Sequence, residues 1–143
     1  MIQEIYVSFK TAKFLKQKGF DEPTFAWYTQ EGILLNRATT YKYNSDKTIP
    51  KHGDFVAAPT LQLVCKWLRE VHNIYIAVNL FYPGKYIHYT PLYYVGIFNT
   101  LTVDDLIKEG CSLVTDSSLS PREYTTPEEA YEEGIRYCLE NLI

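Results

Sequence analysis

A chain of 143 residues with 46% apolar and 22% charged side chains has the material for one compact core, which argues against both disorder and a coiled coil. The formal net charge is −3, unevenly spread: residues 1–100 hold eleven basic and seven acidic side chains, and residues 101–143 hold three and ten. A net-acidic chain is not built for duplex DNA, whose binding needs several phosphates neutralised; the basic part leaves single-stranded nucleic acid or a nucleotide open. Thirteen Tyr, seven Phe and two Trp are the compositional oddity. Tyr joins an apolar body to a polar tip, so this surplus predicts partly exposed aromatic surface.

The first helix is expected over Phe9–Lys18, with Ser8 as N-cap and Gly19 as the stop. Phe9, Ala12 and Leu15, with Phe20 beyond the cap, form its inner stripe, and Lys10, Lys13, Lys16 and Lys18 form a solvated basic face. Phe25–Thr29 and Ile33–Leu35 read as a hairpin around Gly32, placing Trp27 and Tyr28 on opposite faces with one of them exposed. Residues Asn36–Asp54 read as a polar, turn-rich loop, long enough to imply mobility or function, in which Tyr41 and Tyr43 alternate as a short edge strand.

Pro59 opens the central helix. Leu61, Val64, Leu68 and Val71 centre its apolar arc, with Trp67 on one margin and Cys65 and His72 on the other; Lys66 and Glu70 stand at i, i+4. His72 there reads as a core-margin histidine bonded to backbone rather than as a ligand or general base. Near Asn73 the apolar period switches from about 3.6 to 2. Ile74, Ile76, Val78 and Leu80 then face the helices, and Tyr75, Ala77, Asn79 and Phe81 face outward. A turn at Pro83-Gly84 sets Phe81 opposite Tyr86, Asn79 opposite His88 and Ala77 opposite Thr90. The outward residues Tyr75, Asn79, Phe81, Tyr86 and His88 are the candidate binding surface.

Leu92–Phe98 resumes as an aromatic strand. Thr102–Glu109 reads as a short capped helix, and Ser112–Thr115 as a strand before a Ser-rich loop. The last helix has the clearest start: Thr126 as cap, Pro127 at N1 and Glu129 completing a capping box. Its inner face is Ala130, Tyr131, Gly134, Ile135, Cys138 and Leu142, with Arg136 among Glu132, Glu133 and Glu140 outside.

Cys65, Cys111 and Cys138 are odd in number and scattered, which is no disulfide framework; Cys65 and Cys138 lie in apolar arcs and read as inert thiols. No leader pattern and no apolar run near 18 residues is present, so a reduced cytoplasmic setting with no membrane contact is expected. Phosphate-loop, zinc-ribbon, nucleophile-elbow and dinucleotide motifs are missing, and His52, His72 and His88 lack partners at metal-ligand spacing except for Asp54 near His52; neither metal nor cofactor is expected. Ile87-His88-Tyr89-Thr90 resembles half of the signature of the two-histidine phosphoesterases. The second half is missing, because neither His52 nor His72 is followed two residues on by Ser or Thr, so acid–base catalysis lacks its second player.

Tyr6-Val7-Ser8-Phe9, Trp67-Leu68-Arg69-Glu70-Val71-His72 and Tyr137-Cys138-Leu139-Glu140-Asn141-Leu142 together resemble a group of small uncharacterised proteins of gut Bacteroidetes and their phages or mobile elements. That resemblance implies intracellular life in a bacterium or phage and brings no activity, cofactor or catalytic residue with it.

The expectation is a single α+β domain over residues 1–143, a mainly antiparallel sheet with two to three helices packed on one face. Three functional classes compete. The leading one is a protein-interaction or accessory module that self-associates or takes a protein partner through the aromatic face or a strand edge. The second is a nucleotide or single-stranded nucleic-acid binder, with Tyr75, Phe81, Tyr86 or Tyr94 stacking on bases and Lys85 or Lys42 near phosphate. The third is a hydrolase centred on His88.

Overall fold

Ser8 starts the first helix, α1 (Phe9–Gln17), by accepting the Thr11 N–H at 3.3 Å, a cap worth about 1 kcal/mol. The helix ends in a Schellman motif: Phe20 N–H donates to Leu15 O at 2.9 Å and Gly19 N–H to Lys16 O at 3.2 Å. Gly19 takes the left-handed conformation this closure needs, φ 85°. The computed structural model from which these distances come describes residues 3–46, 54–81, 92–99, 112–113 and 124–143. The chain divides into two compact units, Met1–Val64 with Ile143, and Cys65–Leu142.

In the first unit, β1 (Thr24–Tyr28) is the central strand of an antiparallel sheet of order β2-β1-β3, flanked by β2 (Leu34–Tyr41) and β3 (Val56–Ala57). Helix α1 packs against β3, and Thr11, Ala12, Leu15 and Phe20 are fully buried. Each large apolar side chain so buried contributes about 1.5–3 kcal/mol. Segment 5–7 runs antiparallel to 59–61, with Val7 N–H donating to Pro59 O and Leu61 N–H to Ile5 O. Asn44 ties the turn after β2 to both neighbours: its amide donates to Phe20 O at 2.6 Å and accepts the Ala57 N–H at 2.9 Å. The basic face of α1 is partly engaged. Lys16 donates to Phe55 O at 2.9 Å, and the Lys13 ammonium lies 4.6 Å from the Phe9 ring centre.

Two expectations are corrected in this unit. The strand expected to stop at Leu35 continues to Tyr41, taking the first six residues of the anticipated polar loop into β2, with a register irregularity between Thr24 and Ala26 on its partner. Trp27 and Tyr28 do point apart, yet both are buried. Tyr28 donates its hydroxyl to Val7 O at 2.7 Å and packs on Phe9, while Trp27 is roofed by Tyr43, Phe55 and Arg37.

Helix α2 (Leu61–His72) carries the boundary between the units. It begins two residues after Pro59, because the Thr60 hydroxyl accepts the Leu63 N–H at 3.2 Å and serves as cap. Leu61, Val64, Trp67 and Leu68 are buried as expected; Val71, placed in the same arc by periodicity, is 57% exposed. Asn73 at φ 55° ends the helix and turns the chain into a strand.

The second unit holds a sheet of order β4-β5-β6, built from β4 (Ile74–Phe81), β5 (Leu92–Asn99) and β6 (Ser112–Leu113), with α3 (Pro127–Asn141) on one face. Strands β4 and β5 pair without interruption from Ile74↔Asn99 to Phe81↔Leu92. Asn79 thus faces Tyr94 and Ala77 faces Gly96, while the pairing expected across Pro83-Gly84, of Phe81 with Tyr86, Asn79 with His88 and Ala77 with Thr90, lies outside the described residues. Opposite residues share a face, so Ile76, Ile97, Val78 and Val95 stand together, and α3 approaches them at Gly134. A Cβ on Gly134 would lie 2.9 Å from Val95 and 3.1 Å from Ile76, which explains a glycine inside a helix. Burial fades along β4, from Ile74 at 4% exposure to Leu80 at 48%, so Leu80 is not the inward residue that alternation predicts.

Thr126 caps α3 by accepting the Glu129 N–H at 3.2 Å. The Glu129 carboxylate accepts from the Thr125 hydroxyl at 3.0 Å, so the box is closed one residue earlier than the motif predicts. Ala130, Gly134, Ile135, Cys138 and Leu139 form its buried side, and Arg136 pairs with Glu133 at 2.9 Å and Glu140 at 3.7 Å. The architecture is α+β with antiparallel sheets and helices packed against them, the class expected. The helix anticipated at Thr102–Glu109 lies outside the described residues.

Candidate functional site

Of the five candidate residues, the structure places Tyr75 and Asn79 on the outer face of β4, opposite the face that α3 covers, and Phe81 at the end of that strand. Tyr86 and His88 lie outside the described residues. Tyr75 is 42% exposed, and the Arg69 guanidinium carbon stands 5.9 Å from its ring centre. Across the pairing Tyr75 meets Phe98. The Phe98 ring folds over Gly96, its Cε2 only 2.9 Å from where a Cβ on that glycine would sit. The next row of the same face is Ala77 and Gly96, both small, and beyond it Asn79 is exposed. Neither Arg69 nor Phe98 was among the sequence candidates. Arg69 falls on the polar side of α2 and joins the face only through the turn at Asn73, and Phe98 joins it only in the β4–β5 register.

A second surface lies in the first unit. All eight residues of β2 are exposed, and the strand is the edge of its sheet. Ile33 at 58%, Leu34 at 41% and Leu35 at 43% form a contiguous apolar run at its start, with Tyr41 at its end. Beneath it, Trp27 and Tyr43 stack with ring centres 4.8 Å apart, Phe55 meets Trp27 edge-on, and Arg37 stands 5.2 Å from the Trp27 ring. Trp27 Nε1 and the Tyr43 hydroxyl are buried without a hydrogen-bond partner among the described residues, and burial raises the Tyr43 phenol above its ordinary pKa.

His72 sits edge-on to Trp67 at 4.6 Å, its Nε2 buried without a hydrogen-bond partner among the described residues. A backbone-bonded histidine is expected here, but no such bond is made at Nε2, and burial lowers the imidazole pKa. Burial likewise pushes the Cys65 thiol up to about 11 and the Cys138 thiol up to about 12, so neither is a thiolate at neutral pH. Among the described residues no group of three or more His, Cys, Asp and Glu is placed to hold a metal ion, and no helix is long and apolar enough to cross a membrane.

Among the described residues, one unit of this α+β protein presents an edge strand with all eight residues exposed, and the other an aromatic sheet face opposite the one that α3 covers. The chain matches no protein-family profile, no curated protein and no solved structure.

Proposed function

We propose that the chain is a protein-interaction module whose binding element is the edge strand β2, filled by an extended strand of a second copy. The observation that carries this reading is the exposure of all eight residues of an edge strand together with Ile33. Edge strands are ordinarily blunted by outward charges, because their free N–H and C=O groups template further pairing. Here the one charged residue of β2, Arg37, leans over Trp27. With a single charge in Leu34–Tyr41, an antiparallel copy brings like charges opposite each other only in the one register centred on Arg37. Pairing of this kind is isologous and closes as a dimer. The intracellular bacterial or phage setting belongs to the same proposal and rests on the sequence resemblance alone.

Amide hydrogen exchange over a concentration series tests it. The amides of Leu34–Tyr41 should slow as concentration rises, while Leu35→Lys keeps them fast. Exchange in β2 that is independent of concentration in the unsubstituted chain would overturn the proposal.

A further inference from the structure

We infer that the β2 edge selects a second copy of its own chain in one register, with Leu34 on the two-fold axis and Glu31 of each copy against Arg37 of the other. This rests on the self-pairing of β2 proposed above and adds the residues that fix it. Antiparallel edges related by a two-fold axis always set one residue opposite its own copy, because residues facing each other across a seam point to the same side of the sheet. Three observations place Leu34 on that axis.

The first is the backbone. Thr29 N–H donates to Ile33 O at 3.0 Å and Ile33 N–H to Thr29 Oγ1 at 3.2 Å, so the polar groups of Ile33 turn into the hairpin. Alternation then turns the N–H and C=O of Leu34 and Asn36 out to the open edge. Pairing with β1 is regular from Tyr28↔Leu34 to Ala26↔Asn36 and becomes irregular only beyond Asn36. An irregularity of this kind bends a strand, so the straight part of the edge is its start. The second observation is the exposed apolar run. With the axis on Leu34, that residue meets its own copy and Ile33 meets Leu35 of the second copy, so every member of the run gains an apolar neighbour. An axis on Leu35 would set Ile33 against Arg37 and Leu34 against Asn36, and an axis on Ile33 would set Leu35 against Glu31.

The third observation is charge. Glu31 and Arg37 stand three residues either side of Leu34, so the axis that joins the apolar run also brings acid to base at both ends of the seam. Both side chains are exposed. A hydrogen bond from Thr29 holds the Glu31 carboxyl below its usual pKa and leaves acceptor sites on the carboxylate. Arg37 has no carboxylate partner among the described residues, and its guanidinium, lying over Trp27, keeps donors at its rim. A strand of another sequence would have to match both the apolar centre and the opposed ends, and that requirement favours the chain's own copy.

Cysteine cross-linking and charge reversal in the full chain test the register, at a concentration where sedimentation velocity finds the unsubstituted chain dimeric. Under diamide, Leu34→Cys should link to its own copy, while Ala38→Cys, whose copy lies far along the seam, should not exceed the unsubstituted chain. Glu31→Arg and Arg37→Glu should each raise the dimer dissociation constant about tenfold, since both exposed pairs turn from attraction to repulsion. An equimolar mixture of these two variants should regain the original constant, because each then meets its opposite charge. Thermal melting confirms that the variants are folded. A dimer that links best through Ala38→Cys, or a mixture no tighter than either variant alone, overturns this register and leaves pairing through β2 standing. A chain that is monomeric at every concentration overturns both.

Discussion

His72 stands at the C-terminal end of α2, where the helix dipole favours a charged imidazole, yet burial beside Trp67 wins and lowers its pKa. Its neutral form is therefore the one the fold prefers. A depressed histidine contributes stability fully above the unfolded pKa, near 6.5, and loses it as pH falls through the folded value. Melting temperature should drop on acidification below about pH 6.5, and the drop should be smaller in His72→Gln, measured by circular dichroism across that window. The Tyr43 hydroxyl offers a test of the opposite sign. A buried polar group without a partner is destabilising by about 1–3 kcal/mol, so Tyr43→Phe should be neutral or stabilising in urea titration, whereas most core substitutions lose stability. At Gly19 a Cβ would meet nothing within 4 Å, and only the φ of 85° opposes a side chain. Gly19→Ala should lower stability by about 1 kcal/mol in the same titration.

Gly134 is the corresponding position at the scale of elements. Alanine there gains about 1 kcal/mol of helix propensity but drives a methyl into branched side chains of the sheet, Val95 and Ile76. Packing wins in a dense core, so Gly134→Ala should be net destabilising and raise the unfolding rate. The helices were legible because their signals are local: Ser8, Gly19, Thr126 and Pro127 each act within one turn and stand where the sequence puts them. Strand partners were not, because register is a property of two segments. The pairing expected across Pro83-Gly84 lies outside the described residues, while the described pairing of β4 with β5 sets Phe98 beside Tyr75, a partner that no pattern within a single strand reveals. Tyr75 and Asn79 were found from alternation within a single strand. Alternation expects one of Trp27 and Tyr28 to be exposed, yet Trp27 is covered by Tyr43, from within the stretch read as a polar loop, and by Phe55, just after it, and neither contact shows in the pattern of a single strand.

For the whole molecule, the β2 edge belongs to Met1–Val64 and the aromatic face to Cys65–Leu142. Substitutions at Tyr75 should leave self-association through β2 unchanged, because Tyr75 and Leu35 belong to different units. Pairing through the β2 edge is the central claim. It is tested most directly by sedimentation velocity of the unsubstituted chain and of Leu35→Lys over a wide concentration range. The unsubstituted chain should move from the 16.6 kDa monomer toward twice that mass as concentration rises, while Leu35→Lys stays monomeric. A single 16.6 kDa species at every concentration, the same for both proteins, would contradict it.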